Sequence, residues 1–211
     1  MIRDIHAESL KTSSFLSSYY MPRAPTPLAV IRVLNRVNVS FVLIGAHGLG
    51  GWMNKPRATE DVDVMVATKH QKKAVKALLE EFNYLKSEEH QVVVRLRDPE
   101  TNKVAIDVVK PIQTLHREIF KHTKPVTVSR QSYRIPSLEM ALALKFAPMI
   151  SPNRPEIDKY QDAHDFGHMV VSNPEIDLAK LAQLGELVYP GGGQEIVEKV
   201  RQVRAGERLT L

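Results

Sequence analysis

The sequence predicts an α+β protein: a mixed β-sheet core with helices over residues 27–135, preceded by an arm (1–26) and followed by an all-helical region (136–211). Three observations carry this. Short β-branched runs, Phe41–Ile44, Val62–Val66 and Val104–Val109, all lie in the first part of the chain. Segments of helical spacing separate them and take over entirely after Ser137. Hydrophobic residues make up 43% of the 211, enough to fill a core.

The elements follow in order. Residues 1–26 carry Ser/Thr clusters and then Pro22 and Pro25, the composition of a loosely docked arm. Thr26 is an N-cap with Pro27 at the first helical position, and Leu28, Ile31, Leu34 and Val37 then repeat at helical spacing. A strand at about 40–45 ends at Gly45, a short helix covers 46–53, and Asn54-Lys55-Pro56 is a loop. Residues 61–66 form the second strand. Residues 69–82 form an amphipathic helix with Val75, Leu78, Leu79 and Phe82 inward and Lys72, Lys73 and Lys76 on its solvated face. Gln91–Arg97 and Val104–Val109 form a hairpin around Asp98-Pro99-Glu100-Thr101-Asn102. A helix at 112–121 and a β segment near 125–134 complete this half. Ser137 is an N-cap, and helices are expected at 137–148, 156–171, 175–187 and 194–204, with Gly191-Gly192-Gly193 separating the last two.

Composition narrows the function. With no cysteine, disulfides, zinc–thiolate sites and thiol catalysis are excluded. No apolar run approaches the ~18 residues of a membrane span, and the N-terminal residues carry no signal-peptide core, so a cytoplasmic location without membrane partners is expected. The net charge of +5 suits polyanionic partners such as nucleotides or RNA as well as simple solubility. No arginine-rich tail or base-stacking motif points to sequence-specific nucleic-acid reading.

The chemistry concentrates in Asp61-Val62-Asp63. On a strand the two aspartates project to one face while Val62, Val64 and Val66 take the other. Two carboxylates this close repel unless a cation lies between them, and hard oxygen ligands suit Mg²⁺, which usually accompanies a phosphate-bearing substrate. Upstream, the glycine-rich turn at Gly45 brings backbone N–H groups within reach of phosphates. Asp107 stands in an otherwise apolar strand, a costly place for an acid unless it is paired or binds metal. If its strand neighbours that of Asp61 and Asp63, three carboxylates converge, the layout of two-metal phosphoryl chemistry.

These residues carry a family resemblance. Gly45-Ala46, Arg57-x-Thr59-x-Asp61-x-Asp63 and Asp107 resemble the nucleotidyltransferase superfamily typified by DNA polymerase β, nearest its minimal nucleotidyltransferases and AbiEii-type toxins. The resemblance extends through Pro136-Ser137-Leu138-Glu139, Ala143–Ala147 with Lys145, Arg154, and Lys159-x-x-Asp162-x-x-Asp165, about residues 40–170 in all. It implies that Asp61, Asp63 and Asp107 bind two Mg²⁺ ions, with Mn²⁺ as a substitute, and that Asp107 helps deprotonate the acceptor hydroxyl. It further implies that Gly45, Ala46, Arg57, Thr59, Lys145 and Lys159 bind an NTP. The implied acceptor is an RNA end, a protein side chain or a small molecule, and an antitoxin is an implied partner. The alternative is a non-catalytic interaction or antitoxin-like protein that keeps the fold. The chain departs from the pattern in having Ala46 in the glycine pair and fourteen residues between Ala46 and Asp61.

Other readings are weaker. Gly45, Gly48 and Gly50 are spaced GxxGxG rather than GxGxxG, with no room for a crossover helix, and no GxxxxGK[ST] occurs. Lys145 among Leu142, Leu144 and Phe146 also reads as a snorkelling core lysine, and Lys159, Asp162 and Asp165 as a salt-bridged helix face. His164 and His168 have metal-capable spacing but no evident third ligand and read as a surface pair.

Overall fold

A computed structural model describes residues 4–20, 24–54 and 59–209. They fall into two compact units: one takes in the chain to Gly51 and on to Pro136, the other takes in Trp52–Asn54 and the chain from Ser137.

In the first unit, α1 (Ile5–Tyr20) and α2 (Pro27–Arg36) precede β1 (Phe41–Leu43), α3 (Gly45–Met53), β2 (Val62–Val66) and α4 (Gln71–Glu81). Then come β3 (Lys86–Glu89), β4 (Val93–Arg97), β5 (Val104–Val109), the short helix α5 (Thr114–Glu118), and the hairpin of β6 (Thr123–Val128) and β7 (Gln131–Pro136). The main sheet has order β1-β2-β5-β4-β3. Only β2 and β5 run parallel; the other neighbours are antiparallel. Alternation places Val62, Val64, Val66, Ile106, Val108 and Leu96 in the core.

The expected cap forms at α2, where Thr26 Oγ1 accepts from the Ala29 N–H at 3.3 Å with Pro27 behind it. Two expectations are corrected and one strand is added. Residues 1–26 are not a loose arm throughout: α1 is helical and buries Leu10, His6, Ser9, Ser13 and Ser14. Its serines hid it, because they are weak helix formers and an inward face of serines has no hydrophobic period. The inward stripe of α4 is Ala74, Ala77 and Leu78; Val75, Leu79 and Phe82 are half-buried, so the apolar face is turned by about one residue. Finally, β3 forms from the fully exposed Lys86-Ser87-Glu88-Glu89, an edge strand held by pairing to β4 and without any apolar signal of its own.

The second unit is helical: α6 (Leu138–Met149), α7 (Glu156–Ser172), α8 (Leu178–Glu186) and α9 (Gly192–Ala205). Ser137 caps α6, its Oγ accepting from the Met140 N–H at 3.4 Å. Phe146, Met149, Phe166, Met169, Leu181 and Ile196 are buried together. The glycine run has two uses. Gly191 adopts φ +94°, and a Cβ on Gly192 would lie 2.4 Å from the Gly185 carbonyl oxygen, so α8 and α9 meet backbone to backbone. Among the described residues, no helix is long and apolar enough to cross a membrane.

Candidate active site

The parallel pairing of β2 with β5 sets Asp63 directly opposite Asp107. The row continues across the sheet, with Arg95 opposite Asp107 and Glu88 opposite Arg95. Asp61 lies one residue ahead of β2 on the same face as Asp63. One carboxylate oxygen from each of Asp61, Asp63 and Asp107 lies within 4.8 Å of the others, and all three residues are half-buried. Thr59 Oγ1 donates to Asp61 Oδ1 at 2.9 Å, which orients that carboxylate.

Gly45 abuts the cluster. It opens α3 in the left-handed region, φ +59°, and a Cβ there would sit 1.8 Å from Asp63 Oδ2. No other residue combines that backbone with that proximity. The Ile44 N–H donates to the Asp63 carbonyl at 3.0 Å and ties the end of β1 to β2. The start of α3 therefore lies against the carboxylates, with the N–H edge of its first turn available to an anion. Ala46 is only 7% exposed, so its methyl is buried.

Glycine-level packing also fixes α3 from behind. A Cβ on Gly48 would lie 2.2 Å from the Leu43 carbonyl oxygen, and one on Gly51 would lie 2.1 Å from His6 Nδ1 of α1. Ser13 Oγ of α1 is 2.9 Å from His47 Nδ1. Ser13, His47 and His6 thus support the site from behind, and none of them was singled out in the sequence. The i, i+3, i+6 spacing of Gly45, Gly48 and Gly51 was the available signal: three glycines on a short helix mark close backbone approaches.

Electrostatics distinguish Asp107. Burial pushes its carboxyl up to about 6; Arg95 opposes the shift and Asp61 adds to it. Arg95 Nε stands 3.7 Å from Asp107 Oδ1, too far for a hydrogen bond, and both atoms are buried without one. A buried carboxylate oxygen with no donor, beside two further carboxylates and a cradle that a Cβ would fill, fits a hard divalent cation such as Mg²⁺.

Arg57 lies outside the described residues. Lys145 and Lys159 belong to the helical unit. Lys145 Nζ bridges Asp162 at 2.9 Å and Asp165 at 2.7 Å, and Asp162 also takes Arg154 at 3.1 Å. Lys159 Nζ pairs with Glu156 at 2.8 Å. His164 and His168 lie with ring centroids 4.4 Å apart, and no third ligand joins them among the described residues.

No family model matches the chain, and no curated protein matches it. Solved structures do. An antigenic nucleotidyltransferase-like protein from Paracoccidioides brasiliensis superposes with a TM-score of 0.54 at 17% identity, over 94% of this chain and 92% of that one. The lincomycin-bound lincosamide antibiotic adenylyltransferase LnuA overlaps at a TM-score of 0.49 and 14% identity, over 69% of this chain and 95% of that one. ANT(2″)-Ia in complex with adenylyl-2″-tobramycin overlaps at 0.48 and 10%, over 84% and 94%. The five-stranded mixed sheet and its helices share the fold of that nucleotidyltransferase-like protein.

Proposed function

We propose that the protein is a metal-dependent nucleotidyltransferase that moves NMP from an NTP to a hydroxyl acceptor. The observation that carries this reading is the convergence of Asp61, Asp63 and Asp107 within 4.8 Å beside Gly45. Shared fold with a nucleotidyltransferase-like protein supports it. The catalytic core is assigned to residues 27–135, with α1 docked on it, and residues 136–211 to a supporting role.

Asp61, Asp63 and Asp107 would hold Mg²⁺, or Mn²⁺ in its place. When bound, the metal supplies charge neutralisation at the phosphates and a lowered acceptor pKa. The chain's own residues do the rest. Backbone N–H groups at Gly45 and Ala46 receive phosphate oxygens at the start of α3. Thr59 fixes the Asp61 carboxylate through its 2.9 Å hydrogen bond. Asp107 accepts the proton of the attacking hydroxyl. The hydroxyl oxygen bonds to the α-phosphorus as the bond to the pyrophosphate oxygen breaks. Arg57 is the further nucleotide contact proposed within this unit; Lys145 and Lys159, implied as contacts by the resemblance, are held by carboxylates of the helical unit. The acceptor class, RNA end, protein side chain or small molecule, and an antitoxin partner remain within the proposal.

The test is incubation with each α-labelled NTP and Mg²⁺, with cell RNA or extract as acceptor. Label should move to one acceptor class, and Asp63→Asn and Asp107→Asn should each lower transfer by at least ~10²-fold. If none of the NTPs labels any acceptor, the protein is instead a non-catalytic member of the fold.

A further inference from the structure

Helix α7 has two apolar faces, and one of them has no cover among the described residues. Asp162, Asp165, Phe166, Met169 and Val170 face the interior of the helical unit. On the opposite side Ile157 is 76% exposed, Tyr160 55% and Val171 71%. His164 and Gly167 complete this outer stripe; the His164 side chain is 56% exposed, and a Cβ on Gly167 would meet nothing within 4 Å. Residues 157, 160, 164, 167 and 171 follow the alternating three- and four-residue steps of a heptad seam. Spread over ~21 Å of helix, this is not a scatter of single surface residues.

We propose that this seam pairs with the same seam of a second copy of the chain, the two α7 helices running antiparallel. The side-chain sizes choose both occupant and direction. In the antiparallel register Val171 packs on Tyr160 of the second copy and His164 on its Gly167, so large meets small in both of these layers, and the two-fold axis repeats each contact. A parallel pair would stack His164 on His164 and leave a void between two Gly167 residues. Antiparallel helix dipoles also attract. Charge is consistent with self-pairing. Between its ends the seam and its flanks, Gln161, Ala163 and His168, carry no acid or lysine to specify an unlike partner. Lys159 is already tied to Glu156 at 2.8 Å. At each end Glu156 would approach Glu175 and Arg204, one charge of each sign; Arg204 sits there through a 2.6 Å hydrogen bond to the Pro174 carbonyl. One helix pair buries less than the ~1,200–2,000 Å² of a standard interface, so the dimer should dissociate on dilution through roughly the micromolar range.

Sedimentation over a concentration series tests the pairing. The weight-average mass should fall from twice the chain mass to once on dilution, and Val171→Lys or Tyr160→Glu should each leave a monomer with an unchanged thermal melt. The double variant Val171→Lys/Tyr160→Glu should restore the dimer, since the antiparallel register brings the new opposite charges together. The chain has no cysteine, so crosslinking reports direction cleanly. Tyr160→Cys and Val171→Cys proteins should form a disulfide when mixed and neither should crosslink alone. A wild-type monomer at hundreds of micromolar, seam variants that still dimerise, or disulfides within each single-cysteine protein would overturn the proposal.

Discussion

Asp107 lies between Asp63 on one neighbouring strand and Arg95 on the other, and its carboxyl is pushed up to about 6 chiefly by burial. In the metal-free protein the folded state therefore holds this proton more tightly than the unfolded chain. That contribution to stability is full below pH ~4 and is lost as pH rises to about 6. Asp107→Asn should flatten this part of a urea-midpoint profile and stabilise the metal-free protein above pH 6 by about 1–2 kcal/mol. The same substitution should abolish transfer, so stability and activity move in opposite directions, as expected for a strained functional group. Lys145 and Lys159 should separate by a similar comparison. Lys145→Met leaves Asp162 and Asp165 short of a cation in the interior and should cost about 3–5 kcal/mol, whereas Lys159→Met releases only the exposed Glu156 and should change the midpoint by less than ~1 kcal/mol. Gly45→Ala combines left-handed backbone with a 1.8 Å clash against Asp63 and should lower both stability and metal affinity.

At the scale of elements, α1 decides how firmly α3 is held. His6 is 3% exposed, and its pKa is lowered to about 4 by burial and, secondarily, by Lys124. The folded state keeps His6 neutral while the unfolded chain protonates near 6.5, so stability rises with pH between about 4 and 6.5. Hydrogen-exchange protection across α1, taken relative to the intrinsic rate at each pH, should fall as pH falls through that window, and His6→Gln should remove the dependence. The window overlaps that of Asp107 with opposite slope; the Asp107→Asn background isolates it. Gly51 is the matching contact on α3, and Gly51→Ala should loosen α1 by displacing His6 at any pH.

For the whole molecule, the metal proposal has a thermodynamic signature. A cation that binds the folded carboxylate cluster and not the unfolded chain stabilises by roughly 2.7 kcal/mol at a hundredfold excess over Kd. Thermal melts should shift upward with Mg²⁺ or Mn²⁺, further with NTP, and Asp63→Asn should remove the shift. An unchanged melt in the wild type would rule out metal binding at this cluster.

Much of the architecture was written locally. Period-two valine runs, the Thr26 and Ser137 caps and the Asp98–Asn102 turn each depend on neighbours in sequence, and each forms as expected. The face shared by Asp61 and Asp63 follows from strand alternation alone. Three matters rested on tertiary contacts. The pairing of β2 with β5 and its register decided that Asp107 would stand opposite Asp63, because a slip of one residue would have sent it to the other face. α1 and β3 carry polar faces whose only warrant is the partner they meet, Gly51 and His47 for the one and β4 for the other. The elevated carboxyl of Asp107 is likewise a property of its surroundings: the sequence marked the acid as costly in an apolar strand, and only the packed sheet determined how much water it loses and which charges face it.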